Sequence, residues 1–149
     1  MLDEEIKLPV EQIQDALDNC RAHLSAKESE TEQAIRSLLN SARSISEEYY
    51  EIFMNVSGQN GNDVGCIMPV VKEKITTSGL ITLEIRWIKS VKGATGRIRN
   101  HINKGVGHSY SLGKLTNKRP VWEKNLIEQT EKQFSAIREL YSLLIKARL

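Results

Sequence analysis

Residues 80–122 read LITLEIRWIKSVKGATGRIRNHINKGVGHSYSLGKLTNKRPVW. At the start of this stretch, apolar Ile81, Leu83, Ile85 and Trp87 alternate with more polar residues, which is the pattern of a β-strand with one buried face. Five glycines lie in the same stretch and suit tight turns between short strands. The stretch therefore predicts a compact antiparallel β unit, and we expect Trp87 to pack in its core.

Positive charge dominates the same stretch. No acidic residue occurs between Glu84 and Glu123. Phosphates attract lysine and arginine whatever the DNA sequence, and arginine can also pair with guanine in the major groove. We therefore predict a DNA-binding surface made of these residues: Arg86, Lys89, Lys92, Arg97, Arg99, His101, Lys104, His108, Lys114, Lys118 and Arg119.

Arginines and lysines are expected to play different parts on this surface. Arg86, Arg97 and Arg99 lie on predicted strands or tight turns, so they are the expected base readers. The lysines and Arg119 are the expected phosphate anchors. The two histidines flank a basic turn, where they either contact phosphate or are ordinary loop residues. The alternative is a cationic surface that is only solvated.

Charge is distributed unevenly along the chain. Residues 1–64 contain thirteen acidic residues against five basic ones, while the whole chain has a formal net charge of +2. The remaining residues are therefore strongly basic. Such asymmetry predicts one part that binds a polyanion and another part that does not touch it.

Residues 9–57 are predicted to form a helical element that begins at Pro9, where the missing N–H costs nothing. Apolar residues recur there at three- and four-residue steps: Val10, Ile13, Leu17, Cys20, Leu24, Ile35, Leu38, Ala42, Ile45, Tyr49, Ile52, Phe53 and Val56. A polar interval with two S-x-x-E capping boxes, at Ser25 and Ser29, interrupts them. One continuous helix and a helical hairpin that breaks near Ser29 both remain open. A continuous helix would be about 70 Å long. Because a second subunit would have to cover part of its apolar stripe, we predict that this element mediates homodimerisation.

The basic β unit is predicted to span residues 66–119. Its expected strands are Cys66–Thr76, 81–88 and 97–104, and a short further strand at His108–Leu112 remains open. Pro69 favours an edge position for the first strand, because proline cannot donate to a ladder. Ile98 and Ile102 are expected to face inward.

Residues 120–149 are predicted to form the last helix, with Pro120 in its first turn. Its apolar stripe consists of Trp122, Leu126, Ile127, Phe134, Ile137, Tyr141, Leu144 and Ile145. The predicted fold class is α+β. It has a long N-terminal helix or helical hairpin, an antiparallel three- to four-stranded β-meander, and a long C-terminal helix that returns along the first. The length suits a single domain, 1–149.

Catalytic and cofactor motifs are not recognisable in the sequence. Gly105-Val106-Gly107 lacks the third glycine of a dinucleotide fingerprint, and no G-K-[S/T] is present. The three histidines do not cluster with carboxylates as a metal site requires. Cys20 and Cys66 form no ligand spacing and are expected to be free thiols. We therefore expect no enzyme activity, no cofactor and no metal.

The start of the chain is acidic rather than apolar. Asp3, Glu4 and Glu5 come directly after the first residues, where a signal peptide would have its apolar region. Apolar runs elsewhere are only a few residues long. We expect a cytoplasmic protein without a membrane partner.

Three motifs in the C-terminal half resemble the MobI-like family of conjugative-transfer proteins. They are the strand LEIRWIK (Leu83–Lys89), the turn and its flanks HINKGVGHSYSLGKL (His101–Leu115), and the helix PVWEKNLIEQTEKQFSAIREL (Pro120–Leu140). The family has a tryptophan-containing strand, a K-G-x-G-x-x-Y turn and a helix headed by WE, in this order. Trp87, Lys104–Tyr110 and Trp122-Glu123 occupy the corresponding places.

The resemblance implies an auxiliary DNA-processing protein that recognises the origin of transfer of a conjugative plasmid or an integrative conjugative element. Such a protein would help a separate relaxase to begin mobilisation and would not itself cut DNA. The expected partners are double-stranded DNA, a relaxase or another transfer-initiation protein, and a second copy of the chain. The main alternative is a helical protein-interaction adaptor whose basic patch is incidental. RNA binding and nuclease activity are further alternatives.

Overall fold

A computed structural model describes the backbone of residues 2–147 and the side chains of residues 11–26 and 29–147. Six elements follow one another along the described chain. They are α1 (Leu2–Val56), β1 (Ile67–Ile75), β2 (Ile81–Lys92), β3 (Arg97–His101), α2 (Leu112–Thr116) and α3 (Val121–Ala147). The predicted α+β class is confirmed. Predictions for Met1, Arg148, Leu149 and the side chain of Val10 lie outside the described residues.

The first helix is continuous. It runs from Leu2 to Val56 without the predicted break near Ser29, and it begins before Pro9 rather than at it. No glycine or proline lies between Val10 and Val56, so no residue strongly disfavours the helix there. The helix ends at Val56, where Gly58 adopts a left-handed φ of 68°.

The two long helices are antiparallel and pack on each other for only part of their length. Phe53 near the end of α1 contacts Trp122 at the start of α3, with ring centroids 5.7 Å apart. Buried α1 residues begin at Thr31, whereas residues 11–26 are all exposed. The first half of α1 therefore extends beyond α3 and the sheet.

The sheet is an antiparallel meander in the order β1-β2-β3. β1 pairs with β2 from Ile67↔Lys89 to Ile75↔Ile81, and β2 pairs with β3 from Ile88↔His101 to Lys92↔Arg97. Pro69 lies on the edge strand β1, as predicted, and the Pro69 carbonyl accepts a hydrogen bond from the Tyr50 hydroxyl at 2.9 Å. β2 is much longer than β3, so part of β2 has no strand on its β3 side.

The core lies between the helices and one face of the sheet. Trp87 on β2 is fully buried, as predicted, with its ring 5.3 Å from that of Tyr49 on α1 and 5.8 Å from that of Phe134 on α3. Such edge-to-face contacts add to the free energy of burial. The helices therefore cover the face of β2 that carries Trp87 and leave the other face, the outer face, without a helix over its centre.

The structure decides two details of the β unit that the sequence did not. Residues His108–Leu112 form no strand, because the main-chain N–H of Tyr110 donates to the Glu131 carboxylate and Ser111 caps α2. Ile98 lies opposite Val91, on the Trp87 face of the sheet, but it is not buried: 51% of it is exposed, since the β2–β3 hairpin extends past the helices. Ile102 is partly buried and packs against the core.

Candidate nucleic-acid interface

The β2–β3 hairpin from Ile88 to His101, called the ribbon below, brings several predicted DNA-contacting residues to one face. Residues directly opposite each other in an antiparallel pair share a face. Lys92 lies opposite Arg97, Ser90 opposite Arg99, and Ile88 opposite His101. Arg86 follows on the same face of β2 by alternation. The predicted residues Arg86, Lys92, Arg97, Arg99 and His101 thus form a row on the outer face.

Arg97 is held against the ribbon by Ser90, which lies diagonally across from it on β2. Its Nε donates to the Ser90 hydroxyl at 2.7 Å, and its Nη2 donates to the Ser90 carbonyl at 2.9 Å. All five residues of β3 are exposed. Because the guanidinium is oriented before any ligand arrives, less side-chain entropy is lost when it binds.

Arg99 reaches a groove between the ribbon and α1. The groove has a volume of about 470 Å³ and is lined by Arg43, Tyr50 and Val70 among others. Burial raises the pKa of the Tyr50 phenol, and the nearby Arg99 guanidinium partly offsets this rise. Arg43 in this lining is ion-paired with Glu73 at 2.7 Å, so Arg99 is the unpaired cation of the groove's described lining.

Lys104 and His108 lie on the segment 103–109, called the glycine loop below. Gly105 and Gly107 have left-handed φ values of 79° and 93°, which favour glycine. The loop is tied internally, because Asn103 accepts a hydrogen bond from the Gly105 N–H at 3.1 Å and the Lys104 ammonium donates to the Gly107 carbonyl. Val106 at the tip is fully exposed.

A buried carboxylate holds the glycine loop on α3. Glu131 accepts the Tyr110 N–H at 2.9 Å and the Trp87 indole N–H at 2.9 Å. Arg138 pairs with Glu131 at 2.9 Å, donates to the His108 carbonyl at 2.9 Å, and lies over the Tyr110 ring at 4.9 Å. Burial raises the pKa of the Tyr110 phenol. The tyrosine of the K-G-x-G-x-x-Y turn therefore has a structural role: its ring packs under Arg138, and its main-chain N–H is bound by Glu131.

Between the glycine loop and β2 lies a cleft of about 620 Å³. Arg86, His101 and Lys104 line it together with Arg138 and Tyr141. The acidic residue in its lining is Glu84, which forms an ion pair with Arg86. The cleft therefore continues the basic row of the ribbon toward the glycine loop.

Arg119 is placed inside the protein rather than on the row. Its side chain is 17% exposed and forms an ion pair with fully buried Glu123, with Nε and Oε1 2.6 Å apart. It also contacts the Cys66 sulfur. Glu123 in turn accepts the N–H groups of Cys66 and Ile67 at 2.7 and 3.0 Å. The tryptophan–glutamate head of α3 thus anchors the start of β1.

Three other predicted residues lie away from the row. Lys89 lies two residues after Trp87 within β2, which continues to Lys92. By alternation it is therefore on the same sheet face as Trp87, opposite to Arg86. Lys114 is exposed on α2, and Lys118 is exposed in the turn that follows with a φ of 57°. They flank the basic unit without joining the ribbon.

Some cations near the row were not predicted. Lys72 and Lys74 on β1 are exposed, and their register opposite Glu84 and Thr82 puts them on the outer face. The alternation of residues after Val70 was a signal in the sequence that Lys72 and Lys74 share one face of β1. Arg138 and Arg43 carried no such signal, because only the packing of the helices brings them to the cleft and the groove.

The described residues contain neither a metal-ligand cluster nor a membrane-spanning helix. Within the described chain, no three histidine, cysteine, aspartate or glutamate side chains come close enough to hold a metal ion. None of the helices in residues 2–147 has an apolar stretch that could span a membrane.

Comparison with known proteins identifies one family. The family model described as MobI protein matches residues 38–149. This range begins within the packed part of α1 and includes the whole sheet and α3, and it leaves the projecting part of α1 outside. No curated protein and no solved structure matches the chain.

Proposed function

Because the chain belongs to the MobI protein family, which acts in conjugative mobilisation, we propose that it binds double-stranded DNA at an origin of transfer. In this role it is an auxiliary protein that helps a separate relaxase to begin transfer. The relaxase carries out the cleavage of the DNA.

The observation that carries the proposal is the basic row on the ribbon. Lys92, Arg97, Arg99 and His101 share one face of two paired strands, with Arg86 beside them. A two-stranded ribbon fits into the major groove, where arginine can pair bidentately with guanine. The residues of β3 are exposed along their whole length, so this face can approach DNA without rearrangement.

Separate parts of the basic surface would take separate roles. Arg97 and Arg99 project from the strand that is most exposed, so they are the proposed base readers. Lys92 at the hairpin end, Lys104 on the glycine loop and Lys72 on β1 are the proposed phosphate contacts. Lys89, Lys114, Lys118 and His108 are proposed as peripheral contacts. Arg119 supports the fold through Glu123 and would affect DNA only indirectly.

The projecting part of α1 supports a homodimer. Ile13, Leu17 and Leu24 are 60%, 46% and 58% exposed, and they recur at helical spacing. Burial of such a stripe against the same stripe of a second copy removes apolar surface from water. A two-fold dimer would present two ribbons and would suit an inverted or repeated DNA site.

The proposal is tested by fluorescence anisotropy with labelled duplexes that tile the transfer region of an element encoding the protein. An unrelated duplex of equal length is the control, and each titration is repeated over a salt series. We expect a preference for one duplex. The three proposed phosphate contacts of one chain would give a slope of log K against log salt of about −2.7. Absence of binding at low salt would overturn DNA recognition by this chain and would favour the adaptor alternative, in which the exposed stripe of α1 binds a partner protein.

A further inference from the structure

The unpaired part of β2 is the starting point. β3 pairs with β2 only from Ile88 to Lys92, and no other strand within the described residues pairs with that side of β2. The main-chain groups of the odd-numbered residues point to this side. The Ile81 N–H donates to Glu32 at 3.1 Å, the Ile85 carbonyl accepts from Arg138 at 3.3 Å, and the Trp87 carbonyl accepts from the Ile102 N–H at 3.0 Å.

Leu83 is also an odd-numbered residue of β2 and lies between Ile81 and Ile85. Its N–H and carbonyl, with the N–H of Ile85, therefore point into the cleft. Both residues line the cleft, and Asn103 lies across from them on the glycine loop. Two donors and one acceptor on a strand edge, with an amide side chain opposite, can form hydrogen bonds to the edge of a planar heterocycle.

Aromatic and cationic groups complete the cleft. Tyr141 on α3 lines it and is partly exposed, so one face of its ring is available for stacking. Arg86 and Lys104 also line it. Arg138 lines it with a side chain that is 10% exposed, and its buried Nη2 has no hydrogen-bond partner. A buried polar group without a partner is costly, and a ligand acceptor could satisfy it.

We propose that this cleft binds one unpaired nucleotide of the DNA, with its base against Tyr141 and the β2 edge and its phosphate near Arg86 and Lys104. The inference rests on the proposed function. The cleft continues the basic row through Arg86 and His101, so a strand bound along the ribbon leads into it. Its volume of about 620 Å³ lies in the range of small-molecule sites.

A peptide strand fits the same edge less well. Glu32 and Arg138 already occupy main-chain groups at Ile81 and Ile85, so only the groups between them can pair. This leaves too short a ladder for a stable added strand, whereas one base needs only two or three hydrogen bonds. The basic rim also favours a phosphate.

The test compares a perfect DNA duplex with the same duplex carrying one unpaired 5-bromodeoxyuridine, by fluorescence anisotropy at one salt concentration. The full-length wild-type protein should bind the bulged duplex about tenfold more tightly, which is within the range expected for stacking one base on an aromatic ring. Tyr141→Ala should remove the preference and leave the affinity for the perfect duplex unchanged. Leu140→Ala, at the neighbouring exposed position outside the cleft, is the matched control and should retain the preference.

Photocrosslinking of the bromodeoxyuridine to wild-type protein, followed by peptide mass spectrometry, gives a readout that does not depend on the folding of a variant. A crosslink to Tyr141 or to residues 83–86 supports the proposal. Equal affinity for both duplexes, as expected if the cleft serves a peptide, overturns it and leaves the proposed function intact. A crosslink outside the cleft also overturns it. Failure to bind either duplex overturns the proposed function as well.

Discussion

Glu131 on α3 accepts a hydrogen bond from the indole N–H of Trp87 on β2, with 2.9 Å between Oε1 and Nε1. Both side chains are buried, and the same carboxylate accepts the main-chain N–H of Tyr110 and pairs with Arg138. One carboxylate therefore joins the central strand, the end of the glycine loop and the C-terminal helix. The basic surface beside the cleft depends on these contacts of Glu131, because they attach the glycine loop to α3.

Replacement of Glu131 should destabilise the protein strongly. Glu131→Ala leaves the Arg138 charge unpaired and two buried N–H groups without an acceptor, so we expect a loss of about 3–5 kcal/mol in the free energy of unfolding. Urea unfolding followed by tryptophan fluorescence measures it. Glu128→Ala, on an exposed position of the same helix, should change the free energy by less than about 0.5 kcal/mol. Similar values for the two variants would show that the Glu131 contacts contribute little.

Removal of the ribbon arginines should weaken DNA binding. Arg97→Ala and Arg99→Ala are each expected to cost about 1–3 kcal/mol of binding free energy if the lost contact is to a base. Titration of the preferred duplex by anisotropy measures the change. Arg21→Ala on the exposed projecting part of α1 is the matched control and should bind as the wild type does. Unchanged affinity in the ribbon variants would remove Arg97 and Arg99 from the interface.

Charges on the apolar stripe of α1 should dissociate the homodimer. Leu17→Asp combined with Leu24→Asp puts like charges at the centre of the proposed contact, where burial is unfavourable. Light scattering after size exclusion should then give the mass of one chain. The control combines Gln12→Glu with Asn19→Asp, which adds the same charge on another side of the helix. A wild-type protein that already has the mass of one chain would contradict the dimer.

Alkaline pH should destabilise the fold through its buried tyrosines. Burial raises the pKa of the phenols of Tyr49, Tyr50 and Tyr110 above their ordinary value of 10.0. A group with a raised pKa in the folded state contributes stability that is complete below its unfolded pKa and is lost as pH rises above it. We expect a nearly constant urea midpoint between about pH 7 and pH 8 and a steep fall above about pH 10.

Tyr49→Phe isolates one of these groups. Burial is the main cause of the raised pKa of Tyr49, and its hydroxyl donates to the Ile67 carbonyl at 2.6 Å. The variant should be less stable at neutral pH because it loses this hydrogen bond. Its stability should also fall less steeply above about pH 10, because it has one phenol fewer to ionise. An identical alkaline decline in both proteins would contradict the assignment.

The two thiols should react at different rates. Cys20 is exposed on α1, whereas Cys66 is buried and burial raises the pKa of its thiol. Because the thiolate is the reactive form, iodoacetamide should modify Cys20 first in the folded protein. Peptide mass spectrometry over time measures both rates, and in urea the two should become similar. Equal rates in the folded protein would show that Cys66 is accessible.

Local patterns were sufficient to predict most of the elements. Alternation from Ile81 to Trp87 predicted β2 and the burial of its tryptophan, and helical periodicity predicted α1 and α3. The same patterns failed where a side chain from elsewhere in the chain takes a main-chain hydrogen bond. The fourth strand left open at His108–Leu112 is absent because Glu131, more than twenty residues away in sequence, binds the Tyr110 N–H. The spacing of apolar residues along a segment cannot indicate a hydrogen-bond partner from another part of the chain.

Only part of the candidate site was predicted, because local sequence patterns do not show partners that are distant in the chain. The basic residues of the ribbon follow from their alternation, but the sequence contained no indication that Arg119 would pair with buried Glu123. In a sequence, a carboxylate on a helix is interpreted as solvent-exposed unless its partner is known. For Glu131 and Glu123 the partners lie elsewhere in the chain. The cleft was not predicted at all, because it arises from the different lengths of β2 and β3.

The sequence by itself determined the α+β class, the order of the elements and the positive charge of the β unit, since these depend on residues that are neighbours along the chain. Only the tertiary structure decided which charges stay at the surface and which are buried against a partner. Arg86, Arg97 and Arg99 remain on the surface, whereas Arg119 and Arg138 are held by buried carboxylates. The physical reason is that a buried charge requires a partner at hydrogen-bonding distance, and only folding brings together residues that are far apart in the chain.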